Sequence, residues 1–173
     1  FLFLFGAMKK YAIANLTAPT IAAILDGNDP KLAGSMALLA ILLYSLQQYA
    51  DFSGGIDMVL GVAQLYGIEM MPNFRQPYFS TSLGDFWRRW HISLSSWFRD
   101  YVYIPLGGSR NGNARTVLSL TVVWFFTGLW HGASWNFVLW GVMLLGFILL
   151  EKFCIGNFLK EHKAVSYTHL RAH

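Results

Sequence analysis

The feature that most constrains the fold is a long apolar stretch, residues 116–150, that contains no Asp, Glu, Lys or Arg. At 1.5 Å per residue, one straight helix of that length would be about 52 Å long, well beyond a hydrocarbon core of about 30 Å. The stretch must therefore be interrupted, and the small-residue string GLWHGAS, residues 128–134, is the natural junction. We predict two apolar segments, 117–129 and 134–150, that meet beside His131.

Composition excludes an ordinary soluble domain. The chain is 55% hydrophobic and 13% charged, whereas a soluble domain carries about a quarter charged residues. In so apolar a chain, the net charge of +4 points to the cytoplasmic face of a membrane rather than to nucleic acid. A single cysteine, Cys154, excludes an internal disulfide and any cysteine-rich metal site.

The first half of the chain alternates apolar and polar segments. Residues 11–25 are uncharged but short for a span, which predicts a tilted, broken or partly interfacial helix. The string DGNDPK, residues 26–31, predicts a turn, and residues 32–50 form an uncharged run long enough to cross a bilayer. Two carboxylates and two glycines in DFSGGID, residues 51–57, predict a helix break that is buried or lines a wet cavity.

Residues 72–115 are basic and aromatic. This segment contains six arginines and only two acidic residues, and this excess of positive charge predicts a cytoplasmic position. Tryptophans, phenylalanines and tyrosines alternate with the arginines, as in helices that lie in the headgroup region. Trp87, His91 and Ser95 are four residues apart, so we expect them on one face of a single helix.

Two histidines are the candidate reactive residues. An ionisable residue within a membrane segment is a functional hypothesis by default, and burial would hold His131 neutral and able to accept a proton. The alternative is a structural histidine that bonds across helices. From spacing alone, His91 is typical of an interfacial aromatic belt. The histidines lack metal-site spacing, so we expect no metal.

Arginines and aspartates allow two interpretations. Arginine forks could grip a phosphorylated donor, such as a nucleotide-bearing thioester carrier, or could anchor the chain at the membrane. Asp51 and Asp57 could bind a polar substrate, or cap helices and pair with arginine. The sequence contains neither a glycine-rich phosphate loop nor a GxSxG nucleophile elbow.

Four strings in a fixed order identify a family. DFSG (51–54), FWRRWHISLS (86–95), YIPLGG (103–108) and LWHG (129–132) together resemble the membrane-bound O-acyltransferase family, nearest its bacterial branch of alginate and peptidoglycan O-acetylation proteins. The resemblance covers residues 5–153. It implies an all-α polytopic membrane protein, here a partial helical bundle with broken and interfacial helices around a central funnel.

The resemblance also implies the chemistry. His131 and His91 match the family's catalytic positions, which reverses the interpretation of His91 from spacing. His131 would take the proton of the acceptor hydroxyl, while His91, an indole N–H or a serine would orient the acceptor or stabilise the oxyanion. No side chain need become acylated, and Cys154 has no assigned role. The further candidates for substrate binding are Asp51, Ser53, Trp87, Arg88 and Trp130.

The implied reaction moves an acetyl group from a cytoplasmic thioester, acetyl-CoA or similar, toward hydroxyls of an exported polysaccharide. The implied partners are membrane lipid and that polysaccharide or a periplasmic or extracellular acetyltransferase; no bound cofactor and no nucleic acid are expected. The location would be the bacterial cytoplasmic membrane, crossed several times. The alternatives are D-alanyl transfer to teichoic acid, a transporter without chemistry, and a scaffold subunit.

Both ends of the chain lead to expectations about its extent. The opening FLFLFG is already apolar, so we expect a fragment that begins inside a membrane segment and lacks N-terminal helices. We assign residues 1–165 to a partial acyltransferase core that is not expected to act alone. The polar string SYTHLRAH, residues 166–173, is atypical of the family, and we exclude it from functional reasoning.

Overall fold

The described residues fold mainly into helices. The computed structural model describes residues 1–25 and 34–156, so the turn predicted at 26–31 and the tail at 166–173 lie outside the described residues. The α-helices are α1 (Leu2–Ala7), α2 (Asn15–Leu25), α3 (Ser35–Leu65), α4 (Leu83–Arg89), α5 (Ile92–Phe98), α6 (Gly112–His131) and α7 (Trp135–Leu150). The described residues also form three π-helical segments, Met8–Ala14, Arg99–Tyr103 and Glu151–Ile155, a 3₁₀ turn, Pro77–Phe79, and an isolated β-bridge between Phe74 and Trp90.

The first of two compact units, Phe1–Asn73, is a pair of long helices. One of them runs from α1 through the π-helical segment into α2, and the other is α3. They approach closely at glycines: a β-carbon on Gly54 would lie 2.7 Å from the carbonyl oxygen of Gly6, and one on Gly61 would lie 2.6 Å from the amide nitrogen of Phe3. Backbones this close are typical of helix pairs that associate through small residues.

The predicted break at residues 51–57 is wrong, because α3 continues through it to Leu65. Gly54 occupies the crossing with α1, so its lack of a side chain serves packing and does not end the helix. The two aspartates of this string are also accommodated within the unit. Asp51 pairs with Lys10, and Asp57 pairs with Lys9 at 2.5 Å, so each carboxylate has a lysine partner that compensates its charge.

The second unit begins at Phe74 and is built on the hairpin of α6 and α7. The two helices meet at the connection 132–134, where Gly132 has a φ of 155°. The prediction of two apolar segments that join at GLWHGAS is therefore confirmed. Glycines again set the approach: a β-carbon on Gly128 would lie 2.6 Å from the carbonyl oxygen of Phe137, and one on Gly141 would lie 2.5 Å from that of Trp124.

Among the described residues, one helical stretch is long and apolar enough to cross a membrane, Trp135–Ile155. Residues 35–50, which belong to the run predicted to cross the bilayer, are helical within α3. That this run crosses a membrane stays a prediction. The polytopic arrangement and the central funnel stay predictions.

Candidate functional site

His131 is the last residue of α6 and has a defined hydrogen bond. Its Nδ1 lies 2.7 Å from the carbonyl oxygen of Thr127, one turn earlier. A carbonyl can only accept, so Nδ1 carries the proton and donates it. In the neutral ring, Nε2 is then the nitrogen with a free lone pair, as a general base requires.

His131 is exposed among the described residues, and its burial within the membrane stays a prediction. The imidazole lies beside two aromatic side chains of α7, Phe137 and Trp140. Its ring centroid is 4.9 Å from that of Trp140, and the two rings meet at 61°.

His91 occupies the connection between α4 and α5 in an unusual backbone conformation. Its φ of 46° and ψ of 57° are left-handed, which costs a residue with a side chain about 1–2 kcal/mol. Such strain is typically found at functional sites. The helix face expected for Trp87, His91 and Ser95 is therefore wrong, because the helix is interrupted at His91 and restarts at Ile92.

Side chains and backbone hold this turn in place. The hydroxyl of Ser95 donates to the carbonyl oxygens of Trp87 and Trp90, at 3.1 and 3.4 Å. On the other side, the backbone N–H of Arg75 donates to the carbonyl of Arg89 at 2.9 Å. Hydrogen bonds from Ser95 in α5 and from Arg75 in the segment before α4 therefore fix the backbone around His91.

The two histidines belong to one cluster. His91 is half-buried, and burial is the main reason that its pKa is lowered from the ordinary 6.5; proximity to His131 is the second. Both causes penalise the charged form, so His91 is neutral at pH 7. His131 is therefore near enough to His91 to act on it electrostatically, and these are the two residues that the sequence predicts to be catalytic.

The indole of Trp87 packs with Trp124 and Trp140, and we call these three residues the aromatic cluster. Its ring meets those of Trp124 and Trp140 edge to face, with centroids 4.9 and 6.3 Å apart. Its Nε1 is buried and has no hydrogen-bond partner among the described residues. Trp140 thus contacts both Trp87 and His131, although the sequence analysis did not single it out.

The start of α4 is capped by an acidic residue from the end of α7. The carboxylate of Glu151 accepts hydrogen bonds from the backbone N–H groups of Leu83, at 2.6 Å, and Gly84, at 3.4 Å. The hydroxyl of Ser82 accepts from the N–H of Asp85 at 2.9 Å. These caps fix α4, and hence Trp87, relative to α7.

The other predicted substrate-binding residues are described within their own units. Arg88 is an exposed side chain 3.6 Å from Asp85, and Trp130 is 68% exposed. Asp51 and Ser53 belong to the first unit, where they contact Lys10 and Lys9 respectively; Lys9 Nζ donates to Ser53 Oγ at 2.9 Å. Their role in substrate binding stays a prediction.

The sequence matches one family model over nearly its full length. Residues 5–167 fit the model of MBOAT, the membrane-bound O-acyltransferase family. The chain belongs to the membrane-bound O-acyltransferase family. The resemblance carried by the four strings is thereby confirmed, and the chain is a membrane protein. In the described part of this family member, no cluster of three or more His, Cys, Asp or Glu side chains could hold a metal ion.

Three similar proteins are named for acyl transfer involving alginate, peptidoglycan and teichoic acid. The chain is 45% identical over 137 residues to "Probable alginate O-acetylase AlgI" of Azotobacter vinelandii, which is 79% of this chain and 27% of the relative. It is 40% identical to the "Peptidoglycan O-acetyltransferase" of Helicobacter pylori, over 80% of this chain and 26% of the relative. It is 34% identical to the "Teichoic acid D-alanyltransferase" of Bacillus subtilis, over 77% and 33%. The chain therefore spans about a quarter to a third of the length of the curated relatives it matches.

Proposed function

We propose that this sequence provides the histidine site of a membrane O-acyltransferase that moves an acetyl group from a cytoplasmic thioester, with acetyl-CoA as the donor, to hydroxyls of an exported cell-surface polysaccharide. The observation that carries the proposal is the cluster of His91 and His131, in which hydrogen bonding to Thr127 leaves Nε2 of His131 as the acceptor. The alginate and peptidoglycan O-acetylating relatives support the choice of acetyl group and acceptor.

The proposed reaction needs one base and no acylated side chain. Nε2 of His131 takes the proton of the acceptor hydroxyl while that oxygen attacks the carbonyl carbon of the thioester. The tetrahedral intermediate then collapses, the C–S bond breaks, and the leaving thiolate receives the proton from His131. His91 remains neutral beside the transient imidazolium, so no second positive charge opposes proton uptake, and its ring can orient the acceptor.

The proposed setting is a multi-pass protein of the bacterial cytoplasmic membrane. The donor reaches the site from the cytoplasm, and the acceptor is the exported polymer itself or a periplasmic or extracellular acetyltransferase that relays the group. A water-poor site among membrane helices would protect the thioester from hydrolysis.

A second candidate within the same chemistry is D-alanyl transfer to teichoic acid. The Bacillus subtilis relative, at 34% identity, supports it. The acetylating relatives are more similar, at 40–45%, and we therefore place O-acetylation first.

The test is transfer of labelled acetyl from acetyl-CoA in membranes that carry the complete gene product. We expect wild type to form labelled polymer or protein-bound ester, and His131→Ala to lose at least 100-fold in rate while it still binds the donor. His162→Ala, a histidine of the predicted core that lies outside the four matched strings, is the control and should retain the wild-type rate. Equal labelling by His131→Ala would favour a scaffold subunit, and solute flux without any acyl product would favour a transporter.

A further inference from the structure

The indole N–H of Trp87 is a buried donor that the described structure leaves unpaired. A tryptophan has one polar atom, and it can only donate. Buried donors are satisfied in the great majority of folded structures, and each exception calls for an explanation. Trp87 therefore differs from a tryptophan that only fills space.

The ring of Trp87 packs among aromatic side chains, one of which also contacts the proposed base. Phe86, Trp124 and Trp140 all meet it edge to face, at centroid separations of 5.2, 4.9 and 6.3 Å. Its own carbonyl is bonded by Ser95 at 3.1 Å. Trp140 then connects this ring to His131 at 4.9 Å, so one aromatic side chain separates the unpaired donor from the base.

A desolvated N–H in the aromatic cluster that contacts a general base suits an oxygen that gains negative charge during the reaction. Donors fixed in advance stabilise such an oxygen without reorganisation, and this effect is commonly the largest in acyl transfer. The acceptor hydroxyl does not fit, because it must give its proton to His131 and its oxygen becomes part of the ester. The carbonyl oxygen of the acyl donor fits.

Resting on the proposed function, we propose that Trp87 Nε1–H donates a hydrogen bond to the carbonyl oxygen of the acyl thioester. When the acceptor oxygen adds to the carbonyl carbon, the C=O electron pair moves onto that oxygen, and the Trp87 hydrogen bond strengthens. When the C–S bond breaks, the pair returns and the thiolate leaves with the proton from His131. Trp87 exchanges no proton and forms no covalent bond.

The test compares two donor analogues that differ only at the carbonyl. S-acetonyl-coenzyme A keeps a C=O near the position of the thioester carbonyl, and S-propyl-coenzyme A has a CH₂ in its place. In the complete gene product in detergent, we expect wild type to bind the ketone about five- to tenfold more tightly, as a neutral hydrogen bond allows. Trp87→Phe should reduce that ratio to about one, and should lower kcat for acetyl transfer about 100-fold.

Trp124→Phe is the matched control, because it removes an indole from the same cluster and leaves the Trp87 N–H in place. It should keep the wild-type ratio of the two affinities, even if the protein is less stable, since the ratio is measured within each variant. An unchanged ratio in Trp87→Phe would overturn the assignment of this donor while leaving the proposed function intact. Failure of wild type to bind either analogue would contradict the proposed function and this assignment together.

Discussion

The direction of one hydrogen bond decides which nitrogen of His131 can react. Because the carbonyl of Thr127 accepts from Nδ1, the ring does not need to change tautomer before Nε2 takes a proton. His91 contributes differently, since it sits in a left-handed conformation that glycine would adopt without strain. Histidine at this position costs conformational free energy that glycine would not cost. Its presence is therefore consistent with a role for the imidazole ring.

The lowered pKa of His91 predicts how stability depends on pH. The unfolded chain, with a pKa near 6.5, binds a proton more readily than the folded one, so the stabilising contribution is present above that value and is lost as the pH falls from it toward the folded pKa. We expect the Tm of the complete gene product, followed by tryptophan fluorescence in detergent, to fall between pH 7.5 and 5.5. His91→Gln should fall less over the same range, because a non-titrating side chain removes this contribution. Parallel curves for the two proteins would contradict the assignment.

At the same scale, the sequence predicts some site residues better than others. His131 can be identified from its place in an apolar segment, whereas spacing alone assigns His91 to an aromatic belt, and only the family strings give it a role. The contacts of Trp140 could not be predicted, because they depend on how α6 pairs with α7. The tautomer of His131 is likewise a three-dimensional fact, set by where α6 ends.

At the scale of elements, the hairpin of α6 and α7 positions His131 against Trp140. Gly141 allows the approach, since a β-carbon there would lie 2.5 Å from the carbonyl oxygen of Trp124, whereas one on Gly146 in the same helix would meet nothing within 4 Å. These two glycines therefore form a matched pair for mutagenesis.

We expect Gly141→Ala to lower stability by about 1–3 kcal/mol, the usual cost of overpacking, and to reduce acetyl transfer because Trp140 moves relative to His131. Gly146→Ala should be neutral or stabilising by about 1 kcal/mol, since alanine favours the helix. The measurements are Tm and the initial transfer rate of each variant. Equal behaviour of the two variants would mean that close approach of the helices does not position the site.

The sequence locates one helix interruption correctly and another wrongly, for a common physical reason. Both GLWHGAS and DFSGGID contain two glycines, but Gly132 adopts a φ of 155° that ends α6, whereas Gly54 stays helical at the crossing with α1. A glycine can serve either purpose, and only the packing partner decides between them. The carboxylates of DFSGGID appeared to support a break because their lysine partners, Lys9 and Lys10, are distant in sequence.

At the scale of the whole molecule, the arginine-rich segment 72–115 sets the predicted orientation in the membrane. The single cysteine makes this testable, because Cys154→Ser removes every thiol from the printed sequence. In that background, Arg110→Cys places a thiol at an exposed position of the loop before α6.

We expect a membrane-impermeant maleimide to label Arg110→Cys in inside-out vesicles and not in intact spheroplasts. Permeabilised cells provide the control, since both orientations should then react. In the complete gene product, any further cysteines must also be replaced. Labelling from the outside alone would place the segment on the opposite face and would remove the cytoplasmic route to the thioester donor.

The central claim is that His91 and His131 act as one acyl-transfer site, and a double-mutant cycle on kcat/KM for acetyl transfer tests it most directly. We expect His131→Ala and His91→Ala each to lower the rate, and the double variant to be little slower than His131→Ala alone, because residues that act as a unit are strongly non-additive. Losses that multiply would show that the two histidines act independently, and a wild-type rate for His91→Ala would remove His91 from the site.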